Sequence, residues 1–220
     1  MTRIIFIGAT GTDIGKTYVT CMLLRQLQQQ GYSVRAIKPV ISGFDPEDIE
    51  PSDSGQLLLA MNMPATLENA IRISPWRFKD PLPPHLAAAQ TGTSLDLDDI
   101  VQFCLAQVED TLDFLLIEGV GGIMTPISYD QNMIDLISRL ECACLLVTAS
   151  SLGTLSHTLT AIACLEQSTI KIAGVIISES PQNYTDFEQI IDDFKKIISD
   201  IPLQYVQRNS QSETLSSLLI

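Results

Sequence analysis

Apolar residues fall in two rhythms along this chain. Short, nearly unbroken runs occur at residues 4–7, 34–37, 112–117, 142–148 and 172–177. A run without polar alternation reads as a strand covered on both faces, as in a parallel sheet between helices. Between the runs, apolar positions recur at helical spacing. Residues 17–30 place Val19, Met22, Leu23 and Leu27 on one face, and Gly31 is a helix stop. Ser52 and Asp53 precede Leu57, Leu58, Leu59 and Met61, and either could cap that helix. Ser94 and Asp96 open a helix to about Glu109 through Ile100, Val101, Leu105 and Val108. Further helices are predicted over residues 133–140, 159–165 and 184–198. Residues 64–92 hold many prolines, including Pro81, Pro83 and Pro84, and read as a loop with one short helix over 85–90. Pro202 begins a last short strand or loop. Strands alternating with helices predict an α/β fold with a mostly parallel sheet flanked by helices on both faces. The length, 220 residues, suits one domain over 1–220.

The chemistry-bearing residues cluster where strands end. After the first run the chain reads Gly8-Ala9-Thr10-Gly11-Thr12-Asp13-Ile14-Gly15-Lys16-Thr17 and enters a helix. Strand, glycine loop, Gly-Lys-Thr and helix is the phosphate-binding P-loop arrangement. Backbone N–H groups and the helix dipole face phosphate oxygens, Lys16 supplies positive charge, and the Thr17 hydroxyl can ligate Mg²⁺. The loop departs from G-x-x-x-x-G-K-[ST], since Thr10 stands where the first glycine belongs. The second run ends in Lys38-Pro39-Val40-Ile41-Ser42-Gly43, and the third in Glu118-Gly119-Val120-Gly121-Gly122. In open α/β sheets that edge holds the ligand. Lys38 reads either as a surface loop lysine or as a site residue; Asp53 either as a cap or as part of a Mg²⁺ shell. A carboxylate ending a buried strand, as Glu118 does, is costly unless paired or bound to metal. The segment 150–157, with Gly153, Thr154 and Ser156, is either a capped helix start or an anion site.

Net charge is −13, which argues against a nucleic-acid binder or a ligand of anionic membranes. The first apolar run is too short for a cleavable signal, and no stretch is long enough to span a bilayer. Five cysteines with no C-x-x-C pair read as small buried residues in a reducing cytoplasm. The two histidines, His85 and His157, lie far apart in sequence and suggest no metal pair.

Taken together, Thr12–Thr17, Lys38–Gly43, Ser52-Asp53, Pro84-His85, Glu118–Gly122 with Thr125-Pro126, and Leu152–His157 resemble, in order and spacing, the dethiobiotin synthetase family. The resemblance covers nearly the whole chain and is weakest after about residue 180. It implies a P-loop α/β homodimer in the cytoplasm. The implied reaction takes 7,8-diaminononanoate, CO₂, ATP and Mg²⁺ to dethiobiotin, ADP and phosphate through a carbamate and a carbamic–phosphoric anhydride. Catalytic roles fall on Lys16, Lys38 and Thr12. Nucleotide contacts fall on Asp13, Ile14, Gly15, Lys16, Thr17, Tyr18, Asp53, Glu118, Gly119, Val120, Gly121, Ser178 and Glu179. Thr17, Asp53 and Glu118 surround Mg²⁺. Ser42, Lys38 and Gly122 meet the substrate head, and its carboxylate tail reaches Thr154, Leu155 and Ser156 of the partner subunit. The chain departs from the family pattern in having Ala9 for the first loop glycine, Gly11 for an aspartate, Ser178 for a purine-reading asparagine, and Ser156 in the usual Asn-His. The alternative reading is a ParA/MinD-type switch ATPase, but those proteins carry an additional loop lysine where Ala9, Thr10 and Gly11 stand.

Overall fold

The structure, a computed structural model, describes residues 2–208 and 214–220. Its centre is β1 (Arg3–Ala9), whose residues from Ile5 to Ala9 are all buried. The P-loop follows, then α1 (Lys16–Gln29) and β2 (Val34–Ile37). Next come a short β3 (Val40–Ser42), α2 (Asp53–Ala60), α3 (Leu67–Ile73), β4 (Trp76–Phe78), α4 (Pro84–Gln90) and α5 (Leu97–Leu105). The second half holds β5 (Phe114–Glu118), α6 (Met133–Arg139), β6 (Ala143–Thr148), α7 (Thr154–Gln167), β7 (Ile172–Ser178), α8 (Phe187–Ile197) and β8 (Leu203–Val206), with a 3₁₀ turn at Leu215–Leu218.

Six strands form one sheet in the order β2-β5-β1-β6-β7-β8, and every neighbouring pair is parallel. Every residue of β5 is buried, so both faces of the sheet are covered there, as the unbroken apolar run requires. Because all six strands point one way, their carboxyl ends meet along one edge. Ala9, Ile37, Glu118, Thr148, Ser178 and Val206 end there, and each passes into a loop.

The proline-rich stretch is more structured than its composition predicts. Residues 64–92 contain α3 and β4 as well as α4, where the sequence suggested one helix. Thr66 caps α3 by accepting the Asn69 N–H at 3.3 Å, but only Ala70 and Ile73 of that helix are buried, too few to show a period. β4 pairs in parallel with β3 (Val40↔Trp76, Ser42↔Phe78), a partnership made across some thirty intervening residues and invisible to local reading. Pro39 thus separates two strands and does not end the extended chain. α7 also starts earlier than its apolar period, at Thr154. Two polar residues at its start, Thr154 and Thr158, are buried because they turn inward, while Ser156 and His157 face solvent. Pro202 is followed by the edge strand β8 (Leu203–Val206), in register with β7 from Val175↔Leu203 to Ser178↔Val206.

Candidate active site

Gly15 lets the P-loop turn into α1. Its φ is +92°, and a Cβ there would stand 2.5 Å from the Ser178 hydroxyl oxygen. Both the backbone sign and the close approach require glycine. Asp13 also has a positive φ, 57°, a conformation that aspartate tolerates better than most side chains. Ala9, at the place of the family's first glycine, is fully buried and pairs with Val147 as the last residue of β1. The loop therefore starts one residue on, where the Thr10 N–H reaches the Val147 carbonyl at 3.0 Å.

Four ionisable groups converge behind this loop. Lys38, just past β2, is 3% exposed, and its ammonium lies 2.7 Å from Glu118 Oε1 and 2.8 Å from Asp53 Oδ2. It also donates to the Gly119 carbonyl at 3.3 Å. Lys16, on the first turn of α1, donates to the carbonyls of Gly121 (2.8 Å) and Gly11 (3.1 Å). The Thr17 hydroxyl stands 2.7 Å from Glu118 Oε1 and 2.8 Å from Asp53 Oδ1, so its single proton serves one carboxylate at a time. Asp53 is available because Ser52 caps α2, accepting the Gly55 N–H at 3.1 Å.

Burial is tolerable because the charges cancel. Burial alone would depress the Lys38 ammonium, but Glu118 and then Asp53 outweigh it and carry its pKa up to about 12. Burial would likewise raise the Asp53 carboxyl; Lys38, first by charge and then by hydrogen bond, holds it below the usual value. Lys16 lacks a direct carboxylate, so burial, assisted by repulsion from Lys38, lowers it to about 8. Lys38 is thus a fixed charge, and Lys16 an ammonium short of negative partners, as a phosphate-binding group would be.

These residues open onto a cleft of about 690 Å³ that Thr12, Asp13, Lys16, Thr17, Lys38 and Asp53 help to line. Gly15, Tyr18, Ser42, Val120 and Gly121 border the same cleft. Glu118 lies beneath it, 1% exposed. Gly119 packs on the Phe6 ring, 2.9 Å from where its Cβ would be, and Gly122 lies against the loop backbone at 3.4 Å. A second cleft of about 250 Å³ continues past the loop and is bordered by Asp13, Ile14, Gly15, Tyr18, Ser178 and Glu179. Thr154, Leu155 and Ser156 border neither cleft. The Thr154 side chain turns inward, donating to the Ala149 carbonyl at 2.7 Å, while Ser156 is exposed at the start of α7.

Sequence reasoning missed Thr20, Leu82 and the far side of the second cleft. The fully buried Thr20 hydroxyl reaches Glu118 Oε2 at 2.8 Å. It lies one helical turn beyond Lys16, so the period alone could have found it. Leu82 sits among Pro81, Pro83 and Pro84 on the cleft wall, which Thr125 and Pro126 also help to line; nothing local marks it. Val206, Gln207 and Arg208 follow β8, and only its parallel direction brings them to this edge.

The donors fit Mg²⁺: a hydroxyl and two carboxylates converge, all hard oxygen ligands, beside room for phosphate. Neutral in sum and open on the phosphate side, the cluster can hold a nucleotide's outer phosphates and stabilise charge moving between oxygens.

Comparison with known proteins gives these groups a context. The family model described as an AAA domain matches residues 3–216. The ATP-dependent dethiobiotin synthetase of Caulobacter sp. (strain K31) is 42% identical over 200 residues, covering 90% of this chain and 85% of the relative. That of Phenylobacterium zucineum (strain HLK1) is 39% identical over 215 residues, covering 97% and 92%. Among solved structures, the MinC:MinD cell division protein complex of Aquifex aeolicus aligns with TM-score 0.57 at 14% identity, covering 96% of this chain and 83% of that one. A ParA family ATPase from Chlorobium tepidum TLS aligns with TM-score 0.54 at 14% identity, covering 96% and 86%. The structural likenesses show the P-loop NTPase fold alone, whereas the sequence relatives agree over most of both chains: this chain belongs to the ATP-dependent dethiobiotin synthetase family.

Proposed function

We propose that the two clefts together bind ATP and 7,8-diaminononanoate and close a ureido ring with CO₂. The chain is by family an ATP-dependent ligase forming C–N bonds, a dethiobiotin synthetase. The observation that carries the residue-level reading is Lys38, buried and held by two carboxylates at the inner end of the P-loop cleft.

One amine adds to CO₂ and loses a proton, giving a carbamate. A carbamate oxygen attacks the γ-phosphorus of ATP, and ADP leaves. The second amine then attacks the carbonyl carbon of the carbamic–phosphoric anhydride, phosphate leaves, and the ring closes. No covalent intermediate with the protein is needed, so positioning and charge stabilisation suffice. Lys16 holds the outer phosphates. Lys38 stabilises the carbamate and the charge on the transferring phosphoryl group. Thr12 and Ser42 orient the substrate head, with Gly119 to Gly122 along its border. Asp13, Ile14, Gly15 and Tyr18 approach the nucleotide, with Ser178 and Glu179 at its base end. Thr17, Asp53 and Glu118 hold Mg²⁺, which when bound neutralises charge on the phosphate oxygens.

We further propose a cytoplasmic homodimer in which the substrate tail meets the start of α7 of the partner. In support, this helix start borders neither cleft of its own chain, and first-turn amides have no intrahelical acceptor, although that of Thr154 is met by the Ser151 carbonyl at 3.2 Å. All five cysteines are free thiols, and no described helix is long and apolar enough to cross a membrane.

Phosphate release by the purified protein with Mg-ATP and bicarbonate, with and without the diamine, tests the reaction. Diamine-dependent release with dethiobiotin identified by mass is the expected result. Diamine-independent hydrolysis without dethiobiotin would replace this reading with a switch ATPase.

A further inference from the structure

The outer wall of the second cleft is made of two segments where neighbouring strands end, residues 178–181 at the end of β7 and 206–208 at the end of β8. Their ladder ends at Ser178↔Val206, with one more bond from the Glu179 N–H to the Val206 carbonyl at 2.9 Å. Beyond that point the Glu179 carboxylate joins them. Its Oε2 accepts the Arg208 N–H at 2.8 Å, and its Oε1 accepts from Asn183 Nδ2 at 3.2 Å. Asn183 Oδ1 in turn accepts the Ser150 hydroxyl at 2.5 Å. The Ser150 oxygen accepts the Ser180 N–H at 2.7 Å, and the Ser150 N–H is given to the Ser180 hydroxyl at 3.1 Å. Ser150, two residues past β6, is fully buried. Each proton in this chain of bonds has one acceptor, which fixes both the Asn183 amide and the Ser150 hydroxyl.

Neither Ser150 nor Asn183 borders the cleft. We propose that these two are positioning residues for the nucleotide base: through Glu179 they hold the outer wall of the cleft at a set distance from Ile14 and Tyr18. Glu179 is then a brace between two segments of the wall, with both carboxylate oxygens turned to in-chain donors. The proposal rests on reading this cleft as the base end of the nucleotide site. That reading is supported by its sharing Asp13, Gly15 and Tyr18 with the phosphate-side cleft. A wall already held in place loses little freedom when a base enters, which favours affinity. Lys16 and Lys38 lie outside the network, so loosening the wall weakens binding and leaves the chemical step alone.

Binding of a fluorescent ADP analogue and steady-state kinetics with ATP test this together. Asn183→Asp keeps the acceptor for Ser150 but sets a carboxylate against Glu179, and is expected to weaken the analogue about tenfold. Glu179→Gln on its own also weakens it. The pair Glu179→Gln with Asn183→Asp reverses donor and acceptor, restores both bonds, and is expected to bind the analogue several-fold more tightly than either single variant. Ser150→Ala raises KM for ATP while kcat and KM for the diamine hold. Native-like analogue binding by Asn183→Asp, or a double variant no better than its parents, overturns the proposal. So does a fall in kcat at unchanged KM for ATP. Analogue binding needs no turnover, so a native protein that makes no dethiobiotin would sink the ligase reading separately.

Discussion

Lys38 shows how one side chain serves both the fold and the site. It is buried between Glu118 and Asp53, so Lys38→Ala should abolish turnover and also leave the Glu118 carboxylate buried without its cation. Breaking such a pair costs about 3–5 kcal/mol. In a chain of this size that lowers the melting temperature by roughly 6–20 °C, which calorimetry on the ligand-free variant would show. Near-native turnover would remove Lys38 from the mechanism, and an unchanged melt would contradict its burial as an ion pair. Gly15 gives a second test. Gly15→Ala meets both a positive φ and the Ser178 hydroxyl, so adding Ser178→Gly should relieve the contact but recover only part of the nucleotide affinity. Full recovery would mean the backbone sign is unimportant.

At this scale the sequence was informative where a motif fixes chemistry. Lys16, Thr17, Lys38, Asp53 and Glu118 come together because each sits at the end of a strand or on the first turn of a helix. It was silent where a role depends on which polar side chains turn inward. Thr20 reads as an ordinary helix residue and Thr154 as a cap or anion-site hydroxyl, yet both side chains are buried.

Elements here are tied by hydroxyls as well as by packing. Thr148 ends β6 and stands 2.7 Å from Thr158, 2.9 Å from Thr154 and 3.2 Å from Thr10. Thr154 and Thr158 give their protons to the carbonyls of Ala149 and Thr154, so the single Thr148 proton is left to serve Thr154, Thr158 or Thr10. Thr148→Val keeps the shape and removes that donor. It should cost about 1–3 kcal/mol, read as a lower urea midpoint at unchanged slope. A midpoint equal to the native one would show that the cluster re-pairs without Thr148. The same threonines explain why the start of α7 was placed late from sequence: an apolar period does not count polar residues that satisfy one another in the interior. α3 and β4 were lost for the opposite reason, being too short to show any period.

At the scale of the molecule, the sheet order could not be read from sequence, although the parallel direction could. Unbroken apolar runs required cover on both faces, but nothing in residues 4–7 says that their neighbours are β5 and β6. Burial across the whole fold also makes a prediction for the thiols. Burial pushes Cys21 and Cys144 up to about 12 and Cys104 higher still, so thiolate is scarce there at pH 8. Alkylation of the native protein at that pH should spare these three and modify the partly exposed Cys164 first, as peptide masses would report. Early loss of Cys144 would mean that the sheet opens readily.

The strand order also bears on how the chain is made. Arg3 pairs with Phe114 and Ile5 with Ala143, so β1 leaves the ribosome long before the two strands it lies between. At roughly 5–20 residues per second, β1 waits on the order of ten seconds for its first partner. Until then its apolar run has no ladder to join, and α1 lacks the β5 part of the sheet it rests on. Loop closure over that span is slow, and unpaired strands are the usual seeds of aggregation. The feature that collects every strand end at one edge therefore makes synthesis through about residue 148 the vulnerable interval of this protein's life.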